Sequence, residues 1–158
     1  MVQSTYNEWI SIGGLVKGLV LATTTWILVG VTLVFVFVDP LDFEEFIGIG
    51  VALAVLVFIL LLFVNFRGIR IKVTSDRLGV NYGMFNKKSI RLEDIASCRV
   101  VKASFRRFGG VGVRYGFDGS HAYTTSFGDA VEITPREGSV FVFSSNNPDK
   151  ICELISKE

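Results

Sequence analysis

The fold is decided by residues 18–38, GLVLATTTWILVGVTLVFVFV, and residues 46–66, FIGIGVALAVLVFILLLFVNF, two stretches without a charged side chain. A helix rises about 1.5 Å per residue, so a stretch of this length extends about 31 Å, which matches the hydrocarbon core of a bilayer. The short segment 39–45, DPLDFEE, separates the two stretches. The sequence therefore predicts a membrane hairpin, with transmembrane helices at 18–38 and 46–66.

The charged residues divide the chain into two parts of opposite net charge. Residues 1–66 contain one Lys or Arg and five Asp or Glu, a net charge of −4, whereas residues 67–158 contain fifteen and ten, a net charge of +5. Four of the acids lie in the turn at 39–45. Lys and Arg near the ends of spanning helices favour the cytoplasmic side. We therefore expect a multi-pass protein of the cell membrane, with an acidic extracytoplasmic turn at 39–45. The N-terminal segment 1–17, the domain 67–158 and both termini would then be cytoplasmic.

The two predicted spans have the features of an anchor. They contain no ionisable side chain, whereas transport pathways through a membrane usually need such groups. The polar run TTT at 23–25 can satisfy its hydroxyl groups on carbonyl groups one turn earlier. Tyr6, Trp9 and Ile10, which precede the first span, are expected to anchor the chain at the membrane interface.

Small residues recur at every fourth position in both spans. Gly14, Gly18 and Ala22 form one such row, and Gly48 with Ala52 forms another. Rows of small residues allow helices to approach closely in lipid. Two interpretations stay open: packing within the hairpin, which the sequence favours, and self-association of the chain.

The polar part of the chain alternates in hydrophobicity with a period of two residues. Ile69, Ile71 and Val73 share one face of the first predicted strand. The dipeptide Asp118-Gly119 lies between two alternating runs, a pattern typical of a β-hairpin because Asp-Gly favours the positive φ angles of its turn. We expect about seven short strands.

The period changes near the C-terminus, where a helix is expected. Asn147 is a suitable N-cap residue, and Pro148 suits the first helical position. Ile151, Leu154 and Ile155 fall on one face of that helix. This apolar stripe predicts that the helix docks on the strands.

This order of elements resembles the bacterial PH-like families, in which a two-helix membrane hairpin precedes a pleckstrin-homology-like domain. The segments that carry the resemblance are IRIKVTSDRLGVNYG, KKSIRLEDIASCRV and AVEITPREGSVFVFSSNNPDKICELI. The resemblance implies a membrane α-helical hairpin plus an all-β sandwich or partly open barrel of about seven strands, capped by the C-terminal α-helix. It implies no catalytic activity. The segment KVTSDRLG lacks the dense Lys and Arg pattern of eukaryotic lipid-binding relatives, so no phosphoinositide site is carried over.

Two local motifs suggest chemistry but fit a structural role better. The glycines of RFGGVGVRYG, 107–116, do not lie between a strand and a helix N-terminus, as a phosphate-binding loop requires. We interpret them as a strand with one bare face, which permits coiling or the close approach of another segment. Asp118, Ser120 and His121 include the residue types of a hydrolase triad, but they are nearly contiguous on one turn and cannot converge as a triad does.

The cysteines and the single histidine indicate no metal centre. Cys98 and Cys152 lie 54 residues apart and do not have the spacing of metal ligands. A reducing compartment disfavours a disulfide, so we expect both to be small apolar packing residues. We expect no catalytic residue, no cofactor and no metal.

Seven basic residues are the candidates for contacts with the membrane surface or with a partner. They form two groups along the chain: Lys87, Lys88 and Arg91, then Lys102, Arg106, Arg107 and Arg114. One interpretation is a solvated surface with local ion pairs. Another uses the attraction of basic side chains to an anionic leaflet, about 1 kcal/mol for each residue near the surface. Nucleic-acid binding is disfavoured because no ladder of aromatic and basic residues is evident.

The sequence supports three hypotheses of function, in order of preference. The first is a membrane-tethered, non-enzymatic PH-like module that presents a protein-interaction or self-assembly surface at the inner face of the membrane. The partners would be the lipid bilayer and a protein partner or a second copy of the chain. The alternative is a weak anionic-lipid-responsive domain. An enzyme that acts near the membrane is the least favoured hypothesis.

Overall fold

The computed structural model describes residues 6–37 and 42–156. These residues form two compact units. One is a helical unit, 13–65, and the other is a β domain that combines the residues up to 12 with the residues from 66 onward.

The helical unit consists of two long apolar helices, α1 (Gly14–Phe37) and α2 (Phe43–Asn65). Both are long and apolar enough to cross a membrane. The end of the first predicted span and residues 39–41 of the predicted turn lie outside the described residues. In α1 the hydroxyl groups of Thr23 and Thr25 donate to the carbonyl groups four residues earlier, each at 2.9 Å. These two bonds confirm the prediction for Thr23 and Thr25, whereas the buried hydroxyl group of Thr24 has no hydrogen-bond partner among the described residues.

Helix α2 begins three residues earlier than the sequence predicted because its acidic residues cap it. The backbone amide of Asp42 donates to Oε2 of Glu45 at 2.6 Å, the reciprocal bond of a capping box. Glu44 and Glu45 lie in the first turn, where the helix dipole favours negative charge. Part of the predicted turn therefore belongs to the helix.

The glycines of the two spans are not in close contact with other segments within the hairpin. A Cβ atom added at Gly14, Gly18, Gly30 or Gly48 would have no neighbouring heavy atom within 4 Å. The side chains that are buried in α2 are instead Ile49 and Leu56. The favoured interpretation, packing within the hairpin through these glycines, is therefore wrong, and self-association stays a prediction.

The first sheet of the β domain has four antiparallel strands in chain order. They are β1 (Tyr6–Ser11), β2 (Gly68–Val73), β3 (Arg77–Tyr82) and β4 (Asn86–Arg91). Strands β1 and β4 are the two that the sequence analysis missed. Strand β4 has few apolar side chains because it is an edge strand, where exposed lysines are common.

Strand β1 corrects the expectation that Ile10 anchors the chain at the membrane interface. Along β1, Glu8 and Ile10 are buried and Trp9 is exposed, which is the alternation of a half-buried strand. Ile10 packs in the core with Ile69 and Ile71 of the neighbouring strand, and Tyr6 packs against the same core. Ile10 is therefore a core residue.

The helical unit is inserted between two paired strands. Ser11 at the end of β1 is opposite Gly68 at the start of β2. The backbone amide of Ile12 donates to the carbonyl oxygen of Arg67 at 2.8 Å, which continues the pairing beyond both strands. The β domain therefore uses residues on both sides of the hairpin, in contrast to the expected boundary at residue 67.

The second sheet has five strands, and its order differs from the chain order. Its strands are β5 (Ile95–Ala103), β6 (Gly112–Tyr115), β7 (His121–Thr124), β8 (Gly128–Pro135) and β9 (Phe141–Ser144), arranged β5-β8-β9-β7-β6. A short 3-10 helix, Leu92–Asp94, leads from the first sheet into β5. Strands β7 and β9 are parallel, and the other neighbours are antiparallel. The predicted hairpin around Asp118-Gly119 is confirmed as β6 and β7.

Side chains from both sheets and from the C-terminal helix form one core. Ile69, Ile71 and Val73 lie in it, as their alternation predicted, together with Phe141 and Phe143. Strand pairing does not join the two sheets into a closed barrel among the described residues. The expected all-β sandwich or partly open barrel is therefore confirmed as a sandwich, with nine strands in the described residues where about seven were expected.

The C-terminal helix, α4 (Pro148–Ser156), caps this core. Ile151 and Ile155 are buried in it, and Leu154 packs against its edge. The predicted apolar stripe therefore docks on the strands as expected.

Cys98 on β5 and Cys152 on α4 form a disulfide, with their Cα atoms 5.4 Å apart. The expectation that they are separate packing residues is wrong. That expectation came from the reducing conditions of the predicted compartment. In the fold, α4 packs directly on β5 and brings the two cysteines together. The bond ties the capping helix to the second sheet.

Candidate functional site

The first basic group lies on β4 at the edge of the first sheet. Lys87 and Lys88 are adjacent, so their side chains extend to opposite faces of the strand, and both are exposed. Arg91 is also exposed and forms an ion pair with Glu93 at 3.1 Å. This edge therefore presents two lysines together with one locally paired arginine.

The second basic group is distributed over three elements. Lys102 lies on β5 opposite Asp129 of β8. Arg106 and Arg107 lie on a single helical turn, α3 (Phe105–Phe108), and Arg114 lies on β6. Lys102, Arg106 and Arg114 are exposed.

Arg107 differs from the other six because its side chain is partly shielded and bonds to two carboxylates from other segments of the domain. Its guanidinium contacts Oδ2 of Asp118 at 2.8 Å and Oε2 of Glu132 at 2.6 Å. The Arg107 and Glu132 side chains are only 27% and 15% exposed, so the pair is largely shielded from solvent. Arg107 is therefore excluded as a free positive charge for a membrane or a partner. It joins three segments instead: α3, the turn before β7, and β8.

Asp118 is held in its ionised form by several donors. The hydroxyl group of Ser120 donates to it at 2.5 Å, and the backbone amide of Ser120 donates at 3.1 Å. These bonds, led by the hydroxyl group and supported by Arg107, lower the pKa of Asp118 to about 2. Asp118 therefore stays charged and keeps its partners over the physiological range.

These bonds fasten α3 to the turn between β6 and β7. The backbone amide of Phe117 donates to the carbonyl oxygen of Arg107 at 3.4 Å. Gly109 ends α3 with a positive φ of 68°, and its amide bonds to the carbonyl oxygen of Phe105. Phe108 is buried beneath the guanidinium of Arg107, which lies 5.1 Å from the ring centre. The two segments therefore form one small, ordered structure.

Four exposed aromatic side chains lie on this structure or next to it and are here called the aromatic surface: Phe105 on α3, Tyr115 on β6, Phe117 in the β6–β7 turn and Phe127 just before β8. Phe117 is 90% exposed, and Phe105 is 66% exposed. The rings of Phe105 and Phe127 meet edge to face with their centres 6.1 Å apart. Exposed apolar groups of this kind mark sites of protein interaction. Sequence reasoning missed this surface, although three phenylalanines next to turns and polar residues were a usable signal.

The glycines before the β6–β7 turn belong mainly to turns. Gly109 and Gly110 precede β6, and only Gly112 lies in that strand. A Cβ atom at Gly116 would collide with Oγ of Ser120 and approach the Phe108 ring. Another part of the chain therefore approaches Gly116 closely, as expected. The expected strand with one bare face of glycines is not formed.

His121, which was considered as part of a hydrolase triad, packs on an aromatic ring. The ring of His121 packs edge to face on Tyr115, with the ring centres 4.0 Å apart. Ser120 bonds directly to Asp118 without an intervening imidazole. Within 6–37 and 42–156, no three His, Cys, Asp or Glu side chains are grouped so that they could hold a metal ion.

The chain was compared with models of protein families. The model described as Bacterial PH domain matches residues 14–116. The matched region begins at α1 and extends through β6. A comparison with curated protein sequences gave no match.

Proposed function

We propose, from the premise that the chain belongs to the bacterial PH domain family, that it is a membrane-tethered, non-enzymatic module. In this proposal the β domain presents a protein-interaction or self-assembly surface at the inner face of the membrane. The observation that carries the proposal is the insertion of two apolar helices between β1 and β2. The domain is thereby fastened to its anchor by both of these strands.

The dimensions and surface of the helices support the tether. Helices of 24 and 23 residues extend about 35 Å, enough to cross a hydrocarbon core. Large apolar side chains along them are exposed, among them Trp26, Phe37 and Phe58. A surface of this size would be covered in the folded protein, and lipid is the cover that its uniform apolar character fits.

The charge pattern supports the cytoplasmic orientation. Glu44 and Glu45 lie in the first turn of α2, whereas Lys17 lies in the first turn of α1 and Arg67 follows α2. Basic flanks favour the cytoplasmic side. The disulfide between Cys98 and Cys152 does not support this orientation, because cytosolic thiols are normally kept reduced; we propose that in the cell this pair closes only under oxidation.

The aromatic surface supports interaction with a protein. Aromatic side chains supply most of the binding energy in many interfaces because they bury a large area with little loss of conformational freedom. Phe105 and Phe117 stand on two segments that Arg107 holds together, so the surface is ordered before a partner arrives. A preordered surface reduces the cost of binding.

The tether is tested by extraction of the full chain from membranes. We expect the protein to stay in the membrane pellet after alkaline carbonate washing and to be released by detergent. Release by carbonate alone would contradict the tether.

The interaction surface is tested by proximity labelling with the full chain. Replacing Phe105 and Phe117 by Ser should remove the specific neighbours, including a second copy of the chain. The matched control replaces Val100 by Ser, an apolar residue of β5 that is exposed and belongs neither to the aromatic surface nor to the end of the sheet from which the chain leaves. If the Phe105 and Phe117 variant retains every neighbour, the aromatic surface is not the interaction surface.

A further inference from the structure

The turn between β3 and β4, Gly83–Phe85, lies at the end of the first sheet from which the chain leaves. Tyr82, the last residue of β3, is opposite Ile69 near the start of β2. The bond between Ile12 and Arg67 lies at this same end. The strand register therefore places the turn beside the two exits of the chain.

The two chain exits are separated from the apolar helices by very short segments. One residue, Gly13, lies between Ile12 and the start of α1, and one residue, Phe66, lies between Asn65 at the end of α2 and Arg67. An extended residue spans at most about 3.6 Å. If a bilayer surrounds the helices, the chain that links it to this end of the sheet is therefore only a few ångströms long.

The side chains of the turn are apolar and exposed. Phe85 is 81% exposed and Met84 is 71% exposed. Gly83 takes a positive φ of 71°, which turns the chain so that these two residues form the tip. Lys87 and Lys88 follow directly on β4 and are also exposed. An apolar tip followed by basic residues fits the boundary between acyl chains and anionic headgroups.

Residues beside the chain exits have the composition of a membrane interface. Trp9 is 46% exposed, and the guanidinium groups of Arg67 and Arg70 lie 5.9 and 5.6 Å from its ring centre. Trp is enriched at membrane–water boundaries, and long basic side chains extend toward headgroups there. The same end of the sheet thus carries an aromatic and basic group in addition to the turn.

We propose that the β3–β4 turn contacts the bilayer directly, with Met84 and Phe85 in the interfacial layer and Lys87 and Lys88 at anionic headgroups. This inference rests on the proposed tether. The contact gives the β domain a third attachment besides its two chain connections. It fixes which end of the sandwich faces the lipid, and it leaves the aromatic surface to a protein partner.

The test places a tryptophan reporter at the turn of the full chain in liposomes. Trp9 and Trp26 are first replaced by Phe, and Phe85→Trp is then introduced. The liposomes contain phosphatidylcholine with bromine on the upper acyl chain. We expect the emission of the reporter to shift to shorter wavelength and to lose most of its intensity to the brominated lipid.

The matched control is Phe117→Trp in the same background, because Phe117 on the aromatic surface is at least as exposed as Phe85. Its emission should be quenched by aqueous acrylamide and not by brominated lipid. Equal lipid quenching at both positions, or none at Phe85→Trp, would overturn the inference. Absence of quenching in a chain that still resists carbonate extraction would refute the turn contact alone, whereas loss of the chain from the liposomes would refute the tether.

The charge requirement is tested with phosphatidylglycerol in the liposomes. Lipid quenching at Phe85→Trp should increase with the content of phosphatidylglycerol, and Lys87→Gln with Lys88→Gln should remove that increase. An increase that persists in the double variant would show that these lysines do not contact the headgroups. Failure of the reporter variant to fold is recognised by circular dichroism, and Met84→Trp then supplies a second reporter at the same tip.

Discussion

Arg107 illustrates how a charge pattern and a structure assign different roles to one residue. Along the chain it belongs to a basic group with Arg106, and both seemed suited to a membrane surface or a partner. In the fold, Arg106 is exposed whereas Arg107 bonds to Asp118 and Glu132. The difference arises because its two carboxylate partners come from the β6–β7 turn and from β8, which are distant in sequence.

We expect Arg107→Met to destabilise the β domain by about 1–2 kcal/mol, because Glu132 would keep a shielded carboxylate without its ion-pair partner. The matched change Arg106→Met, one residue away on the exposed side of α3, should alter stability by less than about 0.5 kcal/mol. Chemical denaturation of the full chain in detergent, followed by the near-ultraviolet signal of its aromatic residues, measures both. Equal effects of the two changes would show that the ion-pair network does not stabilise the fold.

The same network gives a dependence on acid. Ser120 and then Arg107 lower the pKa of Asp118 from 3.8 to about 2, so its contribution to stability is complete above about pH 4 and is lost as the pH falls toward 2. Because Asp118 is partly exposed, we expect a loss well below the full linkage value. Asp118→Asn should flatten the stability profile over this interval. An unchanged profile would mean that the carboxylate is not held by these donors.

Strand β1 is the element that joins the two halves of the sequence. Its Glu8 is buried, and it accepts hydrogen bonds from the Ser145 hydroxyl group at 2.9 Å and from the Asn146 amide at 2.8 Å. These bonds connect the N-terminal strand to the segment before α4. A domain cut at residue 67 would lose this strand and expose the edge of β2, and unpaired edges promote aggregation.

The helical hairpin should be replaceable by a two-residue turn. Ile12 and Arg67 are hydrogen-bonded neighbours, so Asn-Gly between them forms the short connection that antiparallel strands favour. We expect residues 1–12, Asn-Gly and residues 67–158 to form a soluble and cooperatively folding domain. The fragment 67–158 alone should aggregate or unfold.

Circular dichroism and size-exclusion chromatography of the two chains measure this difference. The matched variant is Glu8→Ala in the chain in which Asn-Gly replaces the hairpin. It removes the carboxylate that accepts hydrogen bonds from Ser145 and Asn146 but keeps strand β1. We expect it to fold with a lower melting temperature. A stable, monomeric 67–158 fragment would show that β1 is dispensable.

At the scale of the whole molecule, the sequence predicted the features that depend on neighbouring residues. The apolar stretches, the hairpin at Asp118-Gly119 and the stripe of α4 are local patterns, and all three are present in the structure. Two of the missed features depend on distant pairs. Strand β1 pairs with a strand about sixty residues later, and Cys98 meets Cys152 after a separation of 54 residues. Local periodicity contains no information about either pairing.

The orientation of the molecule is the property on which its function depends most. If the basic flanks determine it, the acidic segment before α2 is outside the cell and the β domain is in the cytoplasm. A membrane-impermeant maleimide applied to intact cells should then modify Asp42→Cys but not Lys150→Cys, both in a Cys98→Ala and Cys152→Ala background. Labelling at Lys150→Cys with protection of Asp42→Cys would reverse the orientation.

The native cysteine pair provides an independent measure of the same property. Reducing conditions in the cytoplasm should keep Cys98 and Cys152 as thiols, although the fold brings them within bonding distance. When the cells are quenched in acid and the thiols are trapped with a large maleimide, the full chain should gain the mass of two labels. After mild oxidation of isolated membranes it should gain none, and closure of this 54-residue loop should stabilise the β domain by up to about 4 kcal/mol. A disulfide already formed in resting cells would place the β domain outside, where neither the inner leaflet nor a cytoplasmic partner could reach it.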